Sequence, residues 1–190
     1  MKIAVFASGT GSNFQAIIDA VSAGELAVEI GLLVCDKQEA KAIERAANHG
    51  IPTFVFSPKS YPSKEAFETD ILEQLKAHSI DWIFLAGYMR LIGNVLLGSY
   101  TGRIVNIHPS LLPSFPGKDA IGQALQAGVK LTGVTIHYVD EGMDTGPVIA
   151  QEAVRIDESD TRESLQRKIQ ATEHRLYIQT IGNLLTGARA

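Results

Sequence analysis

The chain of 190 residues contains one cysteine, Cys35, so no internal disulfide can form and the fold must rest on burial and hydrogen bonding. A reducing compartment is the expected setting, with Cys35 as a small buried apolar residue. No apolar run reaches the roughly 20 residues that a membrane span needs. The short apolar stretch after Met1-Lys2 also lacks the long core and cleavage site of a secretory signal, so the cytoplasm is the expected address. Charge of one sign is scarce: 17 basic and 21 acidic side chains give −4, which offers no general attraction for nucleic acid. His49, His78, His137 and His174 lack zinc-ligand spacing with Cys35, and no regular set of oxygen ligands with a fixed turn glycine marks a calcium loop. The expected partners are therefore small molecules, without metal, nucleic acid or membrane; the sequence leaves the oligomeric state open.

A hydrophobic fraction of 45% with 20% charged residues, and glycine and proline scattered along the chain, is the composition of a soluble globular protein. Ile3 to Ala7 reads as a buried parallel strand ending at Ser8-Gly9-Thr10-Gly11, followed by a helix with Phe14, Ile17, Ile18 and Val21 at helical spacing from a Ser12-Asn13 cap to Gly24. The unit repeats. Val28 to Val34 is the second strand, Glu39 to Asn48 the second helix with Gly50 as its cap, and Thr53 to Phe56 the third strand. Pro62 opens a helix carrying Ala66, Phe67, Ile71, Leu72 and Leu75 on one side; Trp82 to Ala86 and Arg103 to Ile107 are strands four and five.

After a Pro-rich loop, Pro109 to Pro116, a short helix is expected near Ala120 to Ala127. Gly133 to Val139 and Val148 to Ile156 are then close enough to pair antiparallel. Thr161 to about Leu185 closes the chain as an amphipathic helix with Leu165, Ile169, Thr172, Leu176 and Ile181 on one face. The expected fold is α/β: a single doubly wound, Rossmann-like domain over residues 1–190, with a mostly parallel but mixed sheet, a C-terminal antiparallel pair and a long helix. Ligands should bind outside the carboxyl ends of its strands.

Three stretches carry candidate chemistry. Gly9-Thr10-Gly11-Ser12-Asn13 combines a backbone turn that can approach an anion with the free N–H groups of a helix start, though Phe14 replaces the third glycine of a dinucleotide fingerprint. Asn106-Ile107-His108-Pro109 ends a strand, so its Asn and His side chains point the same way; taken alone, a turn Asn beside a structural His is the better reading. Asp140-Glu141-Gly142-Met143-Asp144-Thr145-Gly146-Pro147 is a glycine-rich connection that, taken alone, reads as a solvated turn. His137, alternating with Thr135 and Val139, fits a cross-strand hydrogen bond better than catalysis. Trp82, Phe84 and Leu85 read as core.

Together, Gly11-Ser12-Asn13, the run Phe84 to Arg90, Asn106-Ile107-His108-Pro109-Ser110-Leu111-Leu112-Pro113 and Val139 to Pro147 resemble the folate-dependent formyltransferase family over nearly the whole chain. The most specific feature is Asn-x-His followed by Asp144 thirty-six residues beyond His108. Length and the N-terminal turn are similar to the branch acting on glycinamide ribonucleotide. The resemblance implies formyl transfer from 10-formyltetrahydrofolate, as cosubstrate, to an amine, with residues 1–100 as a nucleotide-phosphate half and 101–190 as a catalytic and folate half.

It further implies that Asn106 and a protonated His108 donate to the oxygen that becomes negative as the formyl carbon turns tetrahedral. Asp144 is implied as the carboxylate that favours the charged imidazole and collects the amine's proton. Gly11, Ser12 and Asn13 would hold the phosphate; Gln170 and Glu173, three apart on a helix, would face the ribose, although alone they read as a solvated face. The folate would lie between Met89, Arg90, Leu91 and Ile92 and the loop Asp140, Glu141, Gly142, Met143 and Asp144. Leu85, Ile104 and Val139 would line that pocket, and each has an equally good core reading. Lys64 stands where relatives carry Arg for the folate's acidic tail, keeping the charge without the bidentate fork. Ser114 to Ala120, where some relatives place a histidine, is assigned no catalytic role, and Ser110 and Cys35 are not needed as nucleophiles.

Hydrolysis of formyl folate and formylation of initiator tRNA would use the same Asn, His and Asp. The chain lacks the extra N-terminal domain expected of the first, and the basic charge and C-terminal RNA-binding extension expected of the second. A noncatalytic nucleotide-binding module, with His108 and Asp144 merely stabilising loops, is the alternative from a different class.

Overall fold

The computed structural model describes residues 1–187, so 188–190 of the expected domain lie outside the described residues. It divides into two compact units, 1–105 and from Asn106 onward, the break falling inside a strand. In the first unit, β1 (Lys2–Phe6), β2 (Glu29–Cys35), β3 (Thr53–Val55) and β4 (Trp82–Leu85) are linked by α1 (Ser12–Ser22), α2 (Lys41–Asn48) and α3 (Lys64–Ala77). β1 pairs in parallel with both β2 and β4, and β2 with β3. The apolar runs expected to be buried on both faces are so: Ile3 to Phe6 and Leu33 to Cys35 are inaccessible to solvent.

Helix starts depart from expectation for local reasons. α1 is capped by Gly11 in a left-handed conformation (φ 70) with no side-chain cap, so Ser12 and Asn13 are its first helical residues rather than its caps. A Cβ at Gly11 would lie 3.0 Å from that of Ala42, so the turn needs glycine for both backbone angle and space. α3 starts at Lys64, not Pro62, because the Ser63 hydroxyl accepts the Ala66 N–H at 3.2 Å. α4 (Asn94–Ser99) escaped the sequence reading: six residues including Gly98 are too short for periodicity. Its cap comes from α3, where Glu68 accepts the Gly93 N–H at 2.6 Å.

β5 (Ile104–His108) contains the break between units. The second unit continues with α5 (Ala120–Ala127), β6 (Leu131–Tyr138), β7 (Val148–Arg155) and α6 (Arg162–Thr186). Strand order in the seven-stranded sheet is β3-β2-β1-β4-β5-β6-β7. The expected antiparallel pair is present as β6 and β7, with a register shift between Ile136 and His137. Such a bulge re-aims the side chain beside it. α6 starts from a capping box between Thr161 and Ser164 and buries Leu165, Ile169, Thr172, Leu176 and Ile181, the face expected from periodicity.

Gly133 fixes how tightly this second unit packs. A Cβ there would meet the Glu152 carbonyl at 2.1 Å and Leu111 at 2.7 Å, and the carbonyl belongs to a paired strand that cannot retreat alone. Gly133→Ala is expected to destabilise the protein by about 1–3 kcal/mol, read as a lower urea midpoint at unchanged m-value; an unaltered midpoint would refute this packing account.

Candidate active site

Asn106 and His108 are alternate residues of β5 and leave the strand on the same side. His108 is buried and Asn106 half-buried. Asp144 comes from the loop joining β6 and β7, at φ 56, a left-handed conformation that Asp tolerates better than most residues. Its carboxylate lies with Oδ2 3.4 Å from His108 Nδ1 and Oδ1 3.8 Å from His137 Nε2. The three side chains singled out from the sequence therefore meet within the second unit, joined by His137.

Hydrogen bonding fixes which atom does what. His137 Nδ1 lies 2.8 Å from the Tyr138 carbonyl, which can only accept, so that nitrogen carries the proton. Burial holds the His137 pKa below its ordinary value of 6.5, against opposing contributions from Tyr138 and the Asp144 carboxylate, and keeps the ring neutral. Its Nε2 is then an acceptor, and the neighbour at 3.2 Å must be the amide nitrogen of Asn106. A neutral Nε2 also means that the 3.8 Å approach to Asp144 is not an ion pair. One Asn106 amide hydrogen is committed to His137; the other has no partner among the described residues.

The same logic narrows the role expected of His108. Its Nε2 donates to the Phe115 carbonyl at 2.8 Å, which leaves Nδ1, on the Asp144 side, as the ring nitrogen open to a further partner. Asp144 is itself held by the Gly117 N–H at 2.8 Å. The Ser110 hydroxyl donates to the Ser114 and Phe115 carbonyls, which suits an anchor and not a nucleophile. Thr135, on β6, donates to the Ser110 carbonyl at 2.7 Å and accepts from the Leu112 N–H at 3.0 Å, fastening the Pro-rich loop to the sheet. Asp140 accepts from Gly142 N–H and the Thr145 hydroxyl and so serves its own turn. Glu141 and Met143 are exposed, and Val139 and Gly142 half-buried. On α6, Gln170 is half-buried but Glu173 is only 8% exposed, so the solvated-face reading fails for the acid.

In the first unit, the first helical hydrogen bond of α1 runs from Gln15 N–H to the Gly11 carbonyl at 2.8 Å, leaving the Ser12, Asn13 and Phe14 N–H groups ahead of it. Arg45 braces this turn through the Thr10 carbonyl and the Gln15 side chain. Asn13 Oδ1 is buried without a hydrogen-bond partner among the described residues. Just beyond β1, Ser8 donates to buried Asp36 at 2.5 Å and accepts the Met89 N–H from the turn after β4 at 3.0 Å, while Arg90 Nε reaches the other Asp36 oxygen at 2.7 Å. Arg90 thus spends its side chain on the scaffold. Met89 and Leu91 are exposed; Leu85, Ile92 and Ile104 are buried. Lys64 opens α3 beside Glu68, whose carboxyl burial pushes above its usual range. Among the described residues, no three His, Cys, Asp or Glu side chains gather to hold a metal, and no helix is long and apolar enough to cross a membrane.

The family model described as "Formyl transferase" matches residues 1–181. The chain belongs to that family. Among curated relatives, the phosphoribosylglycinamide formyltransferase of Bacillus subtilis (strain 168) is 58% identical over 184 residues, covering 97% of this chain and 94% of the relative. The trifunctional purine biosynthetic protein adenosine-3 of Drosophila pseudoobscura is 43% identical over 98% of this chain, which matches only 14% of that longer protein. The crystal structure of phosphoribosylglycinamide formyltransferase from Bacillus halodurans is 61% identical, with a TM-score of 0.96, covering 99% of this chain and 97% of that one. The Rossmann-like α/β architecture expected from the sequence is borne out, and the chain is an enzyme of this formyltransferase family.

His137, whose place on a strand predicts a packed or cross-strand hydrogen-bonding role, is buried and bonds to Asn106 on β5. The pattern gave no sign of the Phe115 carbonyl or the Gly117 N–H, because main-chain groups carry no residue identity.

A neutral buried imidazole makes stability depend on pH in a definite direction. The unfolded chain protonates His137 below about pH 6.5 while the folded protein resists it, so this contribution is whole above that pH and is lost as pH falls toward the depressed folded pKa. Between about pH 7.5 and 5.5 the wild type should lose more stability in urea melts than His137→Gln, by up to about 1.4 kcal/mol per pH unit. Equal losses would mean that His137 is charged in the folded state.

Proposed function

We propose that this chain transfers the formyl group of 10-formyltetrahydrofolate to the amine of glycinamide ribonucleotide, giving tetrahydrofolate and formylglycinamide ribonucleotide in de novo purine biosynthesis. Membership of the formyltransferase family and the 58% identity to a phosphoribosylglycinamide formyltransferase support the reaction. Likeness to a purine biosynthetic protein supports the pathway. The observation that carries the mechanism is the meeting of Asn106, His108 and Asp144, with one Asn106 amide hydrogen uncommitted.

The substrate amine attacks the formyl carbon, and negative charge develops on the former carbonyl oxygen. Asn106 donates its spare N–H to that oxygen, and His108 donates from Nδ1, the only ring nitrogen left to it. As the new C–N bond forms and the bond to the donor's nitrogen breaks, one proton passes from the amine to that nitrogen. Asp144, beside Nδ1, collects and returns it, directly or through water. No covalent enzyme intermediate is required.

The N–H groups at Gly11, Ser12 and Asn13 suit a phosphate, and Gln170 and Glu173 suit ribose hydroxyls. Main chain around Met89, Arg90, Leu91 and Ile92 and around Asp140, Glu141, Gly142 and Met143 suits the pterin, with Leu85, Ile104 and Val139 as apolar lining and Lys64 toward the acidic tail. The inferred setting is the cytoplasm, with small molecules as the only ligands the site chemistry calls for.

Asn106→Ala and His108→Ala should each cut kcat by about 10²–10³, the effect of losing one oxyanion donor, with smaller changes in KM. Deformylation of the folate is followed optically with and without glycinamide ribonucleotide. Turnover that needs the amine supports transfer; turnover without it supports hydrolysis; binding without turnover, or near-normal kcat in either variant, overturns the assignment.

A further inference from the structure

The two titratable groups of the site take their firmest partners from main-chain atoms two residues apart: the Phe115 carbonyl for His108 Nε2 and the Gly117 N–H for Asp144 Oδ2, each at 2.8 Å. Neither contact depends on a side chain of the loop, so both depend on the path that residues 114–119 follow. That path includes left-handed backbone at Gly117 (φ 75), where glycine adopts it freely, at Asp119 (φ 57), where an acid tolerates it, and at Phe115 (φ 55), where a bulky side chain is held in it only by surrounding contacts.

Gln123, in the first turns of α5, supplies that constraint. Its carboxamide nitrogen donates to the Pro116 carbonyl at 3.1 Å and to the Lys118 carbonyl at 2.8 Å, so the two hydrogens of one amide bracket Gly117. The Pro116 carbonyl and the Gly117 N–H belong to the same peptide group. One end of that planar unit accepts from Gln123 while the other donates to Asp144, and the chain side-chain amide, peptide, carboxylate is continuous. α5 is itself fixed at its start, where Asp119 accepts the Gly122 N–H and pairs with both terminal nitrogens of Arg162 at the start of α6. At the other end of the loop, Ser110 holds the Ser114 and Phe115 carbonyls.

We propose that Gln123 is a positioning residue for formyl transfer, orienting the Asp144 carboxylate against His108 through the Pro116–Gly117 peptide. The proposal rests on the reaction assigned above. Gln123 touches neither of the two side chains and is half-buried, so its removal should leave the fold standing while the carboxylate loses its alignment. The peptide would then be free to rotate, and the imidazole would lose the fixed spacing between its Phe115 and Asp144 partners.

The test uses two near-isosteric variants of the full chain. Gln123→Met removes both donors, and Gln123→Glu faces two carbonyls with a carboxylate. Each should lower kcat by about tenfold or more, with KM for both substrates within about twofold of wild type, and should displace the acidic limb of the kcat–pH profile. In ¹⁵N-histidine spectra, the His108 ring should pass from a proton fixed on Nε2 in the wild type to a mixture of tautomers in the variants. Unchanged kcat and pH profile in a folded variant, or a loss confined to thermal stability, overturns the proposal. Should the wild type show no amine-dependent turnover, the assigned reaction falls instead, and the His108 spectra still decide whether Gln123 positions the pair.

Discussion

A buried imidazole with a carboxylate at its side is the arrangement to which the second unit answers. Placing His108 and Asp144 away from bulk water raises the cost of any polar atom left without a partner, so each must be met by a group of matching donor or acceptor character. The Phe115 carbonyl meets one ring nitrogen, and the Gly117 N–H meets one carboxylate oxygen. His137, kept neutral by its own burial, meets Asn106 and so determines which way that amide faces. Remove the neutrality and Nε2 becomes a donor, the Asn106 amide has nothing to donate to, and two donors oppose each other. The oxyanion role proposed for Asn106 thus depends on a histidine that takes no proton in the proposed reaction.

The first unit solves a different problem by similar means. The turns proposed to meet its ligands are main chain, and main chain needs bracing. Ser8 and Asp36, both buried, tie the end of β1 to the turn after β4 and take Arg90 into the same network, so that turn is held by charge-assisted bonds before any ligand arrives. At the β1–α1 turn the brace is steric: Gly11 packs so closely on Ala42 that the helix start has one available path. A surface offered as N–H groups stays useful only while such braces hold it open, because the same groups would otherwise turn toward the nearest carbonyl.

How much of this the sequence declared follows from the length scale of each signal. Strands and long helices are written in periodicities many residues long, and α6 buries the face its spacing predicts. α4 is not, because six residues with an internal glycine have no period and its cap is lent by Glu68 from another helix. The same distinction separates the site residues. Asn106, His108 and Asp144 could be picked out because their side chains are unusual where they stand and their order resembles a family. Gln123 is an ordinary helical glutamine and Phe115 an ordinary loop phenylalanine; what matters of the first is where its amide reaches and of the second only its carbonyl.

This reliance on main chain also leaves the side chains of residues 114–120 without a direct contact to His108 or Asp144. A loop whose contacts run through a carbonyl and an N–H can change its side chains freely, provided each replacement tolerates the left-handed angles and leaves the outer fastenings in place. Asp119 illustrates the condition: it sits at φ 57, which an acidic residue accepts more readily than most, and its carboxylate caps α5 and pairs with Arg162. The loop's contribution is geometric, and here a surface ion pair and a half-buried glutamine supply the geometry.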